Sequence, residues 1–350
     1  MKKITSLIFA LLFCAFGFGC AAPAVIYTFD EDKPWGKNEA YEKCVYDIEI
    51  VERVRSGKET VNGDVLARGT AVFELKQEPK GNNEFRTTLK LTHTVTYEDI
   101  EKAGADRGLT DTVESEVVFT TDGCAPISSY KKEVYAPRKN GDGNYTKVYD
   151  YEASADYEQR KAVLKKNKAV SEDGTVSEEY ESVKEFDLLS GTQSFDNEQL
   201  YYLVRALTNT TPKGSQTVSI SNLYEIPDNI DKKGKYKNIG VNVSTAEELS
   251  VITLNSKYAA NYLSPAENGS YDVNCMHTTL SRNDTYSGPA FTMYLTEPAT
   301  KFERKDASGA VVTSTSKVIV RMVRVNYNLS TREEGTNIVY TLSDYTTEKA

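Results

Sequence analysis

Histidine, the side chain most often used for proton transfer near neutral pH, occurs twice in this sequence, as His93 and His277. A Ser–His–Asp or Cys–His site would have to use one of these two residues. His93 lies between Leu91 and Val95 on the apolar side of a strongly alternating segment. We interpret it as a buried, hydrogen-bonded core residue; the alternative is a polar group inside a ligand cavity.

His277 belongs to the sequence Cys275-Met276-His277, whose sulfur and imidazole groups are typical ligands of soft metals. On a strand, however, Met276 points away from its two neighbours, so the three side chains cannot meet at one ion. The nucleotide-binding glycine loops, the zinc-protease H-E-x-x-H and the G-x-S-x-G elbow are absent. We therefore predict no metal, no cofactor and no enzyme. A glycosidase or esterase built on carboxylates distant in sequence is the third hypothesis.

One segment, residues 196–208, has the apolar periodicity of a helix among long runs of strand-like sequence. Its apolar residues recur at i, i+3, i+4 and i+7 and form one stripe. The stripe consists of Leu200, Leu203, Val204 and Leu207. Asp196 is placed to cap the N-terminus, and Gln199 completes a capping box.

The opposite side of this helix carries Glu198, Tyr202 and Arg205, and we expect it to face solvent. The simpler interpretation is a helix that covers one face of a sheet, and we favour it. The sharper alternative is a helix that closes the mouth of a cavity.

Alternation of apolar and polar residues predicts strands on both sides of this helix. The predicted strands are residues 41–54, 66–76, 84–98, 111–120, 126–135, 145–152, 160–166, 178–186, 216–226, 236–243, 251–254, 271–280, 290–296, 317–328 and 337–344. Turns are predicted at Asn62-Gly63 and at 154–156, and a capping box at 244–247 predicts a short helix. The dense Lys and Glu residues before the long helix indicate a solvated face. With no repeat or linker, residues 40–346 are predicted to form one β-rich domain.

The N-terminus has the pattern of an export signal. Lys2 and Lys3 precede an uncharged apolar run over residues 4–18, which is too short to span a bilayer. Small residues before Cys20 indicate a lipobox, so residues 1–20 are predicted to be a lipoprotein signal peptide and 21–39 a short tether. Two acyl chains at Cys20 would anchor the chain to the extracytoplasmic face of the cell membrane. The alternative is cleavage after Ala24 and secretion.

Composition limits the partners. The chain carries 42 basic and 51 acidic residues, a net charge of −9, which argues against nucleic acid and against broad attraction to anionic lipid heads. Cys44, Cys124 and Cys275 follow Cys20 at spacings that fit no zinc motif. They are either buried free thiols or one disulfide with a spare thiol.

The pattern Val148-Tyr149-Asp150-Tyr151, the sequence FDLLSG at 186–191 and the helix with Leu203 and Arg205 are similar to those of the lipoprotein-carrier (Lol-type) half-barrel superfamily. The resemblance covers the middle third of the chain. It implies a large curved antiparallel sheet, a half-barrel or open barrel, packed around one central amphipathic helix. In that family the enclosed cavity holds an acyl chain or another apolar ligand, and no catalytic residues are shared.

The first functional hypothesis is therefore a membrane-anchored protein that binds a lipid or other apolar ligand between sheet and helix. The residues predicted to contact the ligand are Leu91, His93, Val95, Leu200, Leu203, Val204 and Leu207. The alternative is a structural or adhesive cell-envelope protein with no small-molecule ligand. A well-packed interior beside the helix would favour the alternative.

Replacement of Cys20 by Ser tests the predicted anchor. We expect the variant to lose its association with membranes, because the thiol that receives the diacylglycerol is gone. Fractionation of cells into membrane and soluble material measures this. A variant that stays in the membrane fraction as the wild type does would contradict lipidation at Cys20.

Overall fold

The computed structural model describes residues 39–56, 59–81, 84–98, 109–121, 123–139, 142–188, 194–206, 215–221, 238–282, 291–297, 302–305, 311–314, 317–327 and 334–349. The predicted signal peptide with Cys20 lies outside these residues, as do nearly all of the predicted tether and Leu207. Within the described ranges, no helix is long and apolar enough to cross a bilayer.

The N-terminal half is a meander in which each strand pairs with the next. Its strands are β1 (Glu39–Ser56), β2 (Glu59–Gly81), β3 (Glu84–Tyr97), β4 (Thr110–Thr120), β5 (Pro126–Val134), β6 (Val148–Asp156), β7 (Lys161–Val170) and β8 (Val176–Asp187). In β4 every second residue is buried, among them Val113, Val117 and Phe119. This alternation is what a strand with one packed face requires.

The described part of the C-terminal half contains the remaining strands and two short helices. In chain order these are β9 (Phe195–Asp196), α1 (Leu200–Ala206), β10 (Ser215–Ser221), β11 (Ile239–Leu254), α2 (Ser256–Ala259), β12 (Tyr271–Arg282), β13 (Phe291–Thr296), β14 (Phe302–Lys305), β15 (Val311–Ser314), β16 (Ile319–Tyr327) and β17 (Glu334–Lys349). Strands β14 and β15 form a separate pair that the sequence analysis did not predict.

All other strands belong to one 15-stranded sheet in the order β8-β7-β6-β5-β4-β3-β2-β1-β17-β16-β13-β12-β11-β10-β9. Strand β17 pairs antiparallel with β1 and so joins the two halves of the chain. The sheet is antiparallel apart from the two-residue strand β9, which runs parallel to β10. Among the described residues the sheet does not close on itself, because β8 and β9 are its edges. The predicted mainly β, antiparallel class is confirmed.

Two predicted turns are wrong. Asn62-Gly63 lies inside β2, opposite Arg53, next to an irregularity in the register of β1 with β2. Such irregularities accept residues that favour turns, since the ladder is locally interrupted. Residues 154–156 belong to β6 and pair with both β5 and β7, and the turn follows at 157–160. Pairing on both sides outweighs local turn propensity here.

The short helix predicted from the capping box at 244–247 is also wrong. These residues continue β11, which runs from Ile239 to Leu254. Between Thr245 and Leu249 the register of β11 with β12 shifts, so the segment forms an irregular stretch of strand. The polar residues that suggested a helix cap are those of the irregular stretch.

Helix α1 lies within the predicted segment but spans only Leu200–Ala206, so the predicted central amphipathic helix over residues 196–208 is not confirmed. The residues predicted for its solvent-facing side are buried. Glu198, Tyr202 and Arg205 are only 3%, 2% and 5% exposed. The Tyr202 ring packs against Phe119 with 4.9 Å between ring centroids. The prediction that these three residues face solvent is wrong, because Glu198 and Arg205 form ion pairs inside the protein and the Tyr202 ring packs in the core.

The predicted capping box at the start of this segment is present. The Asp196 Oδ1 accepts a hydrogen bond from the Glu198 N–H at 2.9 Å, and the Gln199 Oε1 accepts one from the Asp196 N–H at 3.1 Å. Gln199 also donates from Nε2 to the carbonyl oxygen of Cys124 at 2.9 Å. The cap therefore ties the helix to the turn that follows β4.

Arg205 forms a buried bidentate ion pair with Glu42 of β1. Its two terminal nitrogens donate to the two carboxylate oxygens at 2.7 and 2.9 Å, across 163 residues of sequence. The Tyr345 hydroxyl donates to the same carboxylate at 3.2 Å. Paired charges of this geometry satisfy each other away from water, and the fork of the guanidinium fixes the position of the helix.

The three cysteines of the described chain are buried free thiols. Cys44, Cys124 and Cys275 are 2%, 3% and 0% exposed and form no disulfide. The interpretation of buried free thiols is confirmed.

Loss of the buried ion pair is expected to destabilise the fold strongly. Arg205→Met leaves the Glu42 carboxylate buried without its cation, which we expect to lower the free energy of unfolding by about 3–5 kcal/mol. Urea unfolding followed by circular dichroism measures this.

The control is Lys161→Met, which breaks the exposed Lys161–Asp187 pair and should leave the free energy of unfolding nearly unchanged, because water and salt screen exposed charges. Adding Glu42→Gln to Arg205→Met should recover part of the loss. Equal effects of Arg205→Met and Lys161→Met would contradict the assigned importance of the buried pair.

Candidate functional site

A cavity of about 570 Å³ lies beside the start of α1. Its lining combines apolar, aromatic and charged side chains from many strands: Ile50, Phe73, Leu91, His93, Val95, Tyr97, Asp111, Val113, Lys131, Glu133, Tyr135, Arg138, Tyr151, Asn197, Glu198, Tyr201, Arg282, Phe291, Arg324, Val325, Ile338 and Tyr340. This volume falls within the roughly 300–1,000 Å³ typical of small-molecule sites.

The lining shows that the sheet bends strongly. Tyr151 of β6 and Arg282 of β12 both face the cavity, although eight strands lie between them in the sheet order. In a flat sheet, strands that far apart would be separated by roughly 43 Å, at about 4.8 Å per strand. The sheet must therefore curve so that its two halves face a common space.

One wall of the cavity is apolar and comes from the centre of the sheet. Leu91 and Val95 of β3 lie on the face they share with Phe73 of β2, which is directly opposite Leu91 in the register. Ile50 of β1 and Ile338 of β17 continue this wall. The strand alternation that placed Leu91 and Val95 on one face of β3 thus places them beside the cavity.

The apolar stripe of the helix does not face this space. Leu200, Leu203 and Val204 are 5%, 0% and 1% exposed and belong to the hydrophobic core. None of the three lines the cavity. The residues of this segment that do are Asn197 and Glu198, just before α1, and Tyr201 in its first turn.

A buried cation with two carboxylates forms part of the polar wall. The Lys131 Nζ lies 2.6 Å from a Glu133 oxygen and 2.8 Å from a Glu198 oxygen. Burial alone would lower the pKa of Lys131, but Glu198 and Glu133 raise it. Burial alone would raise the pKa of Glu133, but Lys131 and the Tyr135 hydroxyl hold it below its usual value. Lys131 and Glu133 are therefore both charged at neutral pH.

Lys131 and Glu133 were expected on a solvated face, and that interpretation is wrong for both. They occupy alternate positions of β5, opposite Ser115 and Val113 of β4, so they share the buried face. The density of Lys and Glu along this segment masked the period of two that assigns them to the interior.

A second polar group surrounds Asp111. Its Oδ1 accepts from the Ala136 N–H at 2.7 Å, and its Oδ2 accepts from the Arg138 Nη2 at 3.0 Å. The Tyr97 hydroxyl also donates to Oδ2. Burial, and next the charge of Asp111, raise the pKa of Tyr97 to about 12, so this hydroxyl stays protonated. Both carboxylate oxygens are therefore occupied.

These pairings limit the chemistry of the cavity. Glycoside hydrolysis needs one carboxyl group whose raised pKa keeps it protonated. Asp111 is held as a hydrogen-bonded partner of Arg138, and the lowered pKa of Glu133 is opposite to this requirement. Across the residues described, no group of three or more His, Cys, Asp or Glu is arranged to hold a metal. The arrangement is suited to binding a polar group through charge and hydrogen bonds.

His93 lies in the cavity wall without the hydrogen bond expected of a core histidine. In the described part of the chain its imidazole contacts the Tyr340 ring, at 6.4 Å between centroids, and accepts or donates no hydrogen bond. Burial, and next the charge of Arg324, lower its pKa to about 4. His277, by contrast, stacks on Tyr294 at 5.0 Å and does not line the cavity.

Sequence reasoning missed Arg324, Tyr201 and Tyr340 as cavity residues. The available signal for Arg324 was its position in β16, two residues after Met322, which is 1% exposed. An arginine that continues the buried face of a strand indicates an internal charge. Tyr201 gave no such signal, because it lies between the apolar stripe and the polar residues of the helix.

No family model matches this chain, and no curated protein matches its sequence. Among solved structures, the chain is similar to a crystal structure described as a beta-barrel-like protein of the domain of unknown function DUF1849 from Brucella abortus. The TM-score is 0.41 at 8% sequence identity, and the match covers 89% of this chain and 99% of the other.

The pKa of His93 predicts a pH dependence of stability. Its value of about 4 in the folded protein lies below the ordinary 6.5, so the unfolded state binds more protons between these values. The free energy of unfolding should therefore fall as the pH drops from about 6.5 to 4. We expect His93→Gln, which cannot titrate, to reduce this loss by up to about 3 kcal/mol.

Urea unfolding of both proteins at pH 7 and pH 4 measures the difference. The control is His277→Gln, whose side chain lies outside the cavity. An identical pH dependence of wild type and His93→Gln would show that His93 titrates normally.

Proposed function

We propose that this chain is a membrane-anchored, extracytoplasmic and non-enzymatic binding protein. Its ligand is a lipid or another molecule with an apolar chain, held between the curved sheet and the segment that begins α1. The observation that carries this proposal is the cavity of about 570 Å³ beside α1.

The size of the cavity supports a binding role. Protein interiors pack as densely as organic crystals, and voids larger than a few water molecules lower stability. The core next to this space is well filled, with Leu203 and Phe195 completely buried. An unfilled space of hundreds of cubic ångströms beside such a core is the feature expected of a ligand site.

The chemistry of the walls supports an amphipathic ligand. The centre of the sheet presents Phe73, Leu91, Val95 and Ile338, which suit a hydrocarbon chain. Other residues of the lining carry ionised groups that a hydrocarbon cannot satisfy. A molecule with one apolar part and one polar part matches both parts of the lining.

The predicted lipid anchor is part of the same proposal. Diacylation at Cys20 would hold the domain at the surface of the membrane, where molecules with acyl chains are abundant. The short predicted tether would keep the cavity close to that surface. The competing interpretation, a structural or adhesive envelope protein, does not require an internal cavity.

Filling the cavity tests this function. Ile50 is partly exposed at the cavity wall, and Ile50→Trp places a large ring in the space. We expect this variant to lose affinity for a fluorescent fatty-acid probe by about tenfold or more, because chain and ring compete for one volume. The control, Val183→Trp, adds the same ring at a β8 residue that is 58% exposed and should not change affinity.

Probe fluorescence and native mass spectrometry of the purified protein measure binding, and circular dichroism confirms that both variants fold. Absence of a bound lipid in the wild type, together with no binding of the probe, would support the structural or adhesive alternative.

A further inference from the structure

Arg324 enters the cavity without an ion-pair partner in the described part of the chain. It lies on β16, where it pairs with Ile338 of β17 and Phe291 of β13. Its guanidinium carbon is 5.6 Å from the centroid of the Phe291 ring. The Arg324 side chain is exposed and lines the cavity.

Two other cations that line the cavity are neutralised. Arg138 pairs with Asp111 at 3.0 Å, and Lys131 pairs with Glu133 and Glu198. Glu133 acts on Arg324 only as a more distant charge, because its two oxygens bind Lys131 and the Tyr135 hydroxyl. The contact with Phe291 compensates Arg324 only in part, since the attraction of a cation to the face of an aromatic ring is weaker than a direct ion pair.

Three tyrosine hydroxyls lie in the electrostatic neighbourhood of Arg324. The Tyr135 hydroxyl donates to Glu133, and the other two belong to Tyr201 of α1 and Tyr340 of β17. Tyr340 is opposite Met322, so it lies diagonally across from Arg324 on the same face of the sheet. Within the described residues, neither hydroxyl is hydrogen-bonded to another protein group. Burial raises the pKa of Tyr340 to about 12 and that of Tyr201 well above its usual value, so both are neutral donors.

The surrounding charge selects a singly charged partner. Lys131 with Glu133 and Glu198 carries one net negative charge close to this site. A doubly charged phosphate monoester would meet repulsion there, whereas one negative charge is balanced by Arg324. A carboxylate also matches the planar fork of a guanidinium, which can bind both of its oxygens at once.

We propose that the ligand of this cavity is a long-chain carboxylate, held at its head group by Arg324 and by the hydroxyls of Tyr201 and Tyr340. The hydrocarbon chain lies along the apolar wall formed by Phe73, Leu91 and Ile338. This assignment rests on the proposed function and adds the class of ligand to it.

The test compares palmitate with hexadecanol, which has the same chain and no charge. Binding of both to the purified protein is measured by displacement of a neutral fluorescent probe. We expect Arg324→Gln to weaken palmitate roughly ten- to hundredfold and to leave hexadecanol unchanged. Arg324→Lys should restore part of the affinity, because it keeps the charge and loses the fork. The control is Arg68→Gln, which removes an arginine that is 52% exposed.

A second measurement reports the contact directly. In ¹³C NMR, the carboxyl carbon of labelled palmitate should titrate at a lower pKa when bound to the wild type than when bound to Arg324→Gln. A merely structural role of Arg324 would leave this titration unchanged. If the role of Arg324 were merely structural, Arg324→Gln would also change the affinities for palmitate and hexadecanol together.

The outcomes separate the two proposals. If neither palmitate nor hexadecanol binds, the binding function itself is overturned. If both bind and Arg324→Gln affects neither, the cavity binds chains and the head-group assignment is overturned. If lysophosphatidylglycerol binds more tightly than palmitate and depends on Arg324, the head group is a phosphodiester, and the carboxylate is overturned.

Discussion

The buried ion pair between Arg205 and Glu42 is the interaction on which the architecture depends. Charges removed from water are tolerated only when they are paired with good geometry, so α1 is restricted to the position where the guanidinium meets both oxygens of Glu42. Strand β1 lies in the middle of the 15-stranded sheet, between β2 and β17. The pair therefore fixes the helix over the place where the two halves of the chain meet.

The segment before the helix is held equally by polar contacts. Asp196 accepts a hydrogen bond from the Tyr157 hydroxyl at 2.6 Å, and Glu198 pairs with Lys131 of β5. On the other side, β9 pairs with β10. These contacts connect distant parts of a bent sheet through one short segment. A helix of seven residues is only about 10 Å long, so it fills part of the enclosed space and leaves the rest as the cavity.

Local periodicity predicted a good part of this arrangement. The alternation in β3 placed Leu91, His93 and Val95 together, and the pattern of Asp196 and Gln199 predicted the cap that is present. Periodicity assigns residues to faces, but it does not tell which face meets solvent. That depends on partners such as Glu42, which lies 163 residues from Arg205, and such pairings leave no local signal. For the same reason the buried charges of the cavity were missed.

The charged residues of the lining distinguish this cavity from a purely apolar one. Apolar cavities stay dry, whereas groups such as Arg324 and the hydroxyl of Tyr201 attract water when no ligand is present. A ligand that enters must replace the hydrogen bonds of the water it displaces, or affinity is lost. A plain hydrocarbon would fit against Leu91 and Ile338. It would nevertheless be rejected, because it would leave these donors unsatisfied. Under the proposed binding function, selectivity would come from the polar end of the cavity, and the apolar wall would supply affinity common to every chain of similar length.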